Sequence, residues 1–314
     1  MNPVKNDTRT ATILALSAAF ISGISLFVNK FAVTTMKDPI LFATLKNSLV
    51  AVFIIGVVLV FRRWNEIRSL TKHQWLKLFA IGIIGGALPF ALFFEGLAQT
   101  SAINGAFIHK TLFLWVALLA VPFLKEKMVW QQWVGVAVVF IGNLFIGGFT
   151  GFKFNIGEIM ILAATILWAV ENIIAKKTLA DISSATVGAA RMTIGSILLI
   201  SYIALFSSFS PIFALTSVQW SWMILTGVLL SGYVLVWYSA LSRAPATYVA
   251  TLLVPATLIT NVLSALFVTH ALTGQDLTSA FMCGVGAFLL IFFTNKTAEK
   301  TKLVRDNKTF SIST

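Results

Sequence analysis

The chain has 314 residues, 58% of them hydrophobic and only 11% charged, with a mean hydropathy of +0.91. Soluble domains carry roughly 25% charged residues, so a water-soluble fold is excluded. The net charge of +12 does not predict a nucleic-acid partner, because the basic residues fall in short segments between apolar runs, where they act as topology signals. The single cysteine, Cys283, lies in an apolar run and allows neither an intrachain disulfide nor a cysteine-based metal site.

Apolar runs of about 20 residues, enough to cross roughly 30 Å of hydrocarbon, recur along almost the whole chain. The first, from about Ala11 to Val28, follows Lys5 and Arg9 but lacks an Ala-x-Ala cleavage site, so it reads as a span and not as a signal peptide. Taken in order, the predicted spans are 11–32, 40–61, 77–98, 102–123, 130–148, 156–176, 185–207, 220–241, 246–268 and 277–294. Lys37-Asp38-Pro39, Gly147-Gly148 and Ser210-Pro211 punctuate several ends. With the N-terminus inside, seventeen of the 23 basic residues fall on the inner side. They are Lys5, Arg9, Arg62, Arg63, Arg68, Lys72, Lys77, Lys125, Lys127, Lys176, Lys177, Arg243, Lys296, Lys300, Lys302, Arg305 and Lys308. Only Lys37 and Lys153 fall outside, which predicts cytoplasmic N- and C-termini in a plasma or inner membrane and an even number of spans.

The two halves match at an offset of 144 to 146 residues. Lys46 falls opposite Arg191, Ser101-Ala102 opposite Pro245-Ala246, Glu126 opposite His270, Gln131 opposite Gln275 and Gly142 opposite Gly286. The expected organisation is an N-terminal tail (1–10), a first repeat (11–148), a linker (149–155), a second repeat (156–294) and a solvated C-terminal tail (295–314). Five spans per repeat invert the second repeat relative to the first. The predicted fold is therefore an all-α integral membrane protein of ten transmembrane helices in two inverted five-helix repeats, an architecture of secondary transporters with a midplane substrate site.

Three further segments carry a resemblance: Phe94 to Phe107, with Leu97-Ala98-Gln99-Thr100-Ser101-Ala102; Phe123-Leu124-Lys125-Glu126-Lys127; and Gly135 to Gly142. The second copy repeats it in Ala240-Leu241-Ser242-Arg243-Ala244-Pro245-Ala246 and Leu253-Val254-Pro255. Together they resemble the drug/metabolite transporter superfamily, in particular its EamA-type members. The resemblance implies a ten-span carrier of small metabolites such as amino acids, with its central cavity lined mainly by the first four spans of each repeat. It also implies fifth and tenth spans that support the cavity or form a homodimer. Ser22 stands where the family pattern has a tryptophan late in the first span; Trp168 keeps it in the second repeat.

A charge at the centre of a span costs about 2.5 to 3.5 kcal/mol on insertion scales, so each intramembrane charge is a site candidate. Lys46 and Arg191, repeat equivalents near the starts of the second and seventh spans, suit a substrate carboxylate, although long basic side chains also snorkel to an interface. Glu171 lies well inside the sixth span on the face of Trp168, with Asn172 turned about 100° away. It suits a substrate ammonium, a coupling proton, or a salt bridge to Lys46 or Lys110. His109 and Lys110 open the fourth span, Glu95 closes the third near enough to approach Lys110, and the histidine suits a proton-coupled step. Trp237 and Tyr238 are candidates for stacking on substrate. Glu126 reads as a helix-end organiser, and Gly82-x-x-x-Gly86 as a close helix approach.

The expected partners are a small-molecule substrate and the lipid bilayer, with no cofactor beyond a coupled proton. A multidrug or organic-cation efflux carrier is the alternative within the transporter class. An intramembrane enzyme is disfavoured because His73, His109 and His270 are scattered, and a channel because no filter sequence is visible.

Overall fold

A backbone inside hydrocarbon must satisfy its own hydrogen bonds, which turns long apolar runs into helices. The computed structural model describes residues 8–61, 64–145, 151–271 and 273–312, and every regular element among them is helical. Lys5, Arg62, Arg63 and Gly147-Gly148 lie outside the described residues.

In the first repeat, α1 (Thr8–Met36) leads to α2 (Pro39–Val60), which is opened by Pro39 and by the Asp38 side chain accepting from the Leu41 amide. A short α3 (Trp64–Arg68) precedes the third span, made of α4 (Lys72–Ile81), a π-helical turn (Gly82–Ala87) and α5 (Leu88–Ala98). The fourth is α6 (Ala102–Lys110) running into α7 (Leu112–Leu124), and α8 (Trp130–Leu144) follows. The second repeat comprises α9 (Ile156–Thr178), α10 (Ser184–Phe206), a four-residue α11 (Ser210–Phe213) and α12 (Ser217–Arg243). It continues through α13 (Ala246–Thr251) and α14 (Ala256–Ser264) with a π turn (Ala265–Thr269), and ends in α15 (Gly274–Ile312).

Among the described residues, nine of these stretches are long and apolar enough to cross a membrane. The described part of α8 is 15 residues long and occupies the fifth predicted span. One difference from the sequence reading stands out. The loops after the second and seventh spans contain the short helices α3 and α11. Beyond residue 294, α15 continues as helix to Ile312. The outer surface is apolar, with Val60, Phe206 and Phe281 each about three-quarters exposed, as a lipid-facing surface requires.

The repeats pack by the same rule in both directions. Helix α1 lies along α12 and α14, α9 lies along α5 and α7, and α2 packs on α10. Equivalent side chains then do equivalent work. Near the end of α1, Lys30 donates to the carbonyls of Leu97 (2.8 Å) and Thr100 (2.7 Å). Near the end of α9, Lys176 donates to those of Leu241 (2.6 Å) and Ala244 (2.7 Å). Each ammonium neutralises orphan carbonyls at the C-terminus of the third span of its own repeat, the cation-favouring end of a helix dipole. Lys30→Met or Lys176→Met is expected to cost about 1.5–3 kcal/mol, the range for hydrogen bonds to a charged group, read as a lower melting temperature of the detergent-purified protein.

Inter-repeat contacts sort the chain into two ends. At one end the Glu126 carboxylate accepts from the amides of Ala246 and Thr247 and from the Thr247 hydroxyl, capping α13. There too Glu66 accepts from the amide and hydroxyl of Ser183 and the hydroxyl of Thr186, and Thr12 meets Tyr248. At the opposite end Asn104 donates to Glu158, and Gln219 to the Thr35 carbonyl. The cap geometry refines the repeat register. Lys125 after α7 and His270 after the second π turn are both left-handed, with φ of 55° and 52°. Lys125, and not Glu126, is therefore the backbone counterpart of His270. Helices α8 and α15 pack closely on each other where a Cβ on Gly135 would lie 3.1 Å from the Gly286 carbonyl, and Gln132 donates to Thr294 beside the Glu126 end.

Candidate functional site

The two repeats enclose a cavity of about 70 Å³ lined by residues of both. Its geometry starts from the crossing of α10 over the π turn. A Cβ on Gly86 would sit 2.1 Å from the Arg191 carbonyl oxygen, and one on Gly195 2.4 Å from the Gly86 backbone, so the two chains touch main chain to main chain. The Gly82-x-x-x-Gly86 pattern thus gives the close approach expected of it. The widened turn does more, because it leaves carbonyls available to side chains of other helices. The Gly85 carbonyl accepts from Arg191 Nε and from Trp168 Nε1, both at 3.0 Å, and the Gly86 carbonyl accepts from Asn47 Nδ2 at 3.1 Å.

On the second-repeat wall, Arg191 also donates to the Tyr238 hydroxyl at 3.3 Å, and that hydroxyl donates to Glu171 Oε1 at 2.5 Å. Guanidinium and carboxylate are tied through one tyrosine, all three side chains buried. Beside them Trp237 Nε1 donates to Asn172 Oδ1 at 2.9 Å, and Tyr233 stacks on Trp237. Asn172 therefore joins Trp168 and Glu171 on the lining although helical spacing turns it away from them.

On the first-repeat wall, the Lys46 ammonium, 1% exposed, lies 3.8 Å from the centroid of the Phe94 ring, with Phe42 and Phe90 also within 6 Å. Its hydrogen bond goes to Asn29 Oδ1 at 3.4 Å. Lys46 does not snorkel outward. It lines the cavity with Ser22, Ser25 and Asn29 of α1. His109 lines it as well, its ring packed on Phe93 and Trp168 and its Nδ1 without a hydrogen-bond partner.

Of the ten candidates named from sequence, Lys46, His109, Trp168, Glu171, Asn172, Arg191 and Trp237 line this one cavity. Tyr238 stands behind them as the link between Arg191 and Glu171. Lys110 also stands behind, donating to Ser22 Oγ at 2.7 Å. Glu95 is half-buried on α5 and away from the lining, so the expected approach to Lys110 is replaced by the Lys110–Ser22 bond. A salt bridge to Lys46 or Lys110, one of the three readings of Glu171, is replaced by the tyrosine link. Ser22, Asn29, Phe90, Phe94 and the Gly85 carbonyl were not anticipated. The signal for Ser22 was its place where the family pattern has tryptophan.

The sequence profile of the EamA-like transporter family matches residues 9–148 and 155–292, both halves of the chain. The chain belongs to the EamA-like transporter family. Within the family's wider circle, the chain is 29% identical over 282 residues to the uncharacterized transporter YvbV of Bacillus subtilis (strain 168), covering 85% of this chain and 86% of that one. It is 26% identical over 253 residues to an uncharacterized transporter of Archaeoglobus fulgidus, covering 78% and 84%. The match to a second Bacillus subtilis protein, the uncharacterized transporter YyaM, is 30% identical over 158 residues and spans about half of either chain (48% and 51%). A protein of known crystal structure superposes with a TM-score of 0.71 at 16% identity, over 89% of this chain and 97% of that one, and so shares the fold. As an EamA-like transporter this is a multi-pass membrane protein.

Proposed function

We propose that this transporter is a secondary carrier that moves a small polar metabolite, amino-acid-like or weakly anionic, by alternating access. One five-helix repeat rocks against the other around the cavity. The observation that carries this reading is the shared ownership of the cavity: α1, α2, α5 and α6 of the first repeat face α9, α10 and α12 of the second. The repeat-related interfaces, α1 on α12 and α9 on α5, supply two equivalent contacts that can exchange tight and loose packing. The basic side chains Lys46 and Arg191 set against Glu171 support a substrate with a negative group. His109, with its unpartnered Nδ1 on the cavity wall, is the residue assigned to a coupling proton. The basic-residue count supports cytoplasmic termini in a plasma or inner membrane, and α8 and α15 act as a supporting pair.

The test is uptake by proteoliposomes of a labelled pool of amino acids and organic anions, with and without an imposed pH gradient. Saturable uptake is expected, stimulated by the gradient. Flux that rises linearly with concentration would mean a channel and overturn the carrier reading. Uptake indifferent to the gradient would remove His109 from coupling. Uptake of tetraphenylphosphonium in place of the pool would assign the protein to organic-cation efflux.

A further inference from the structure

Resting on the transporter reading, we infer that the substrate is a small organic anion without an ammonium group, and that Lys46 is the residue that selects it. The argument is one of charge pairing among buried groups. Arg191 and Glu171 are committed to each other through the Tyr238 hydroxyl, and Arg191 is further held by the Gly85 carbonyl. That pair needs nothing from outside. Lys46 has no such arrangement. Its ammonium has three donors, and the structure gives it one long bond to a neutral amide and the faces of three phenyl rings. A buried cation in that condition is strongly unfavourable until an anion arrives. Lys46 lines the cavity, so the anion reaches it from there.

The same census argues against an amino acid. Among the described residues, Glu171 is the one acidic side chain on the lining, and one of its two oxygens already accepts from Tyr238. A substrate ammonium would have to share that carboxylate and would face the excess of positive charge from Lys46 and Arg191 on the same cavity. Lys110, behind the lining and donating to Ser22 on the same first-repeat wall as Lys46, adds to the positive charge and sharpens the preference. The apolar remainder of the lining, with Leu26, Phe93, Leu112, Trp168 and Leu230, fits the uncharged body of such an anion.

The experiment uses the purified full chain in detergent, with equilibrium binding of labelled benzoate, phenylacetate, lactate and succinate set against phenylalanine and tetraphenylphosphonium. At least one carboxylate is expected to bind saturably and more tightly than phenylalanine. Lys46→Met is expected to weaken that binding by about tenfold to a hundredfold, the range for one hydrogen bond to a charged group. Asn29→Asp gives an independent arm, since it places a carboxylate where Lys46 already reaches. It is expected to raise the melting temperature and to abolish carboxylate binding. Binding of phenylalanine or the cation in preference to every carboxylate would overturn the inference, as would carboxylate binding unchanged in Lys46→Met. If no compound binds, the stability arm decides, because an Asn29→Asp protein no more stable than the parent would mean that Lys46 is already paired. Carboxylate binding without flux in proteoliposomes would sink the carrier reading and leave this inference standing. Saturable flux of amino acids alone would do the reverse.

Discussion

Replacing Gly86 with alanine is expected to destabilise the protein by about 3 kcal/mol, the upper end of overpacking costs. The reason lies in what the new methyl would meet. A side chain can usually rotate away from an intruding carbon, but the Gly86 Cβ would fall 2.1 Å from the carbonyl oxygen of Arg191 and 3.1 Å from the Cα of Gly195. Both are main-chain atoms of α10, so relief requires the third and seventh spans to separate. Separation pulls Arg191 Nε from the Gly85 carbonyl, 3.0 Å away, and the site loosens with the fold. Gly195→Ala should behave alike, since its Cβ would lie 2.4 Å from the same crossing. Gly56 on α2, with nothing within 4 Å of its added carbon, is the control, and Gly56→Ala should be neutral or stabilise by up to about 1 kcal/mol through helix propensity. Thermal unfolding in detergent, with uptake measured on the same preparations, separates the cases. Equal melting temperatures for Gly86→Ala and Gly56→Ala would mean that the crossing is looser than the structure has it.

That crossing also marks where sequence reasoning stops. The all-helical membrane fold could be read from the chain because it rests on long apolar runs, and three charged residues of the cavity because a charge is costly in hydrocarbon: Lys46, Glu171 and Arg191 advertise themselves by being out of place. Glycine spacing announced a close approach at Gly82 and Gly86 but carried no sign of the π turn, and a backbone acceptor such as the Gly85 carbonyl has no side chain to signal it. The neutral polar residues Ser22 and Asn29 were passed over because a hydroxyl or amide is tolerated in a span, yet they are the contacts of Lys110 and Lys46. Glu95 misled in the opposite sense. A charge near the end of a span costs little, so its presence says little about function. The Lys30 and Lys176 pair was available from the repeat offset alone. A lysine near the inner end of a span reads first as a topology signal, which hides its structural role.

Arg191→Met is expected to be the most damaging change to the site, costing about 3–5 kcal/mol, because it leaves the Glu171 carboxylate buried with Tyr238 as its remaining partner. The double variant Arg191→Met with Glu171→Gln removes both charges and should recover most of that stability. A double-mutant cycle on the melting free energies should therefore give a coupling of about 2 kcal/mol or more. Arg191→Lys should not rescue the single variant. A point ammonium cannot reach the Gly85 carbonyl and the Tyr238 hydroxyl together, as the guanidinium fork does. Transport separates stability from function in the same set. The charge-free double variant, although folded, is expected to bind labelled carboxylate at Lys46 but to lose most of its uptake. In it the α10 wall is no longer held to the π turn, and closure around the substrate has no fixed end point. A coupling near zero would mean that Arg191 and Glu171 are paired with other groups. Full uptake by the double variant would reduce the whole network to a structural brace and leave Lys46 as the single charge on which transport depends.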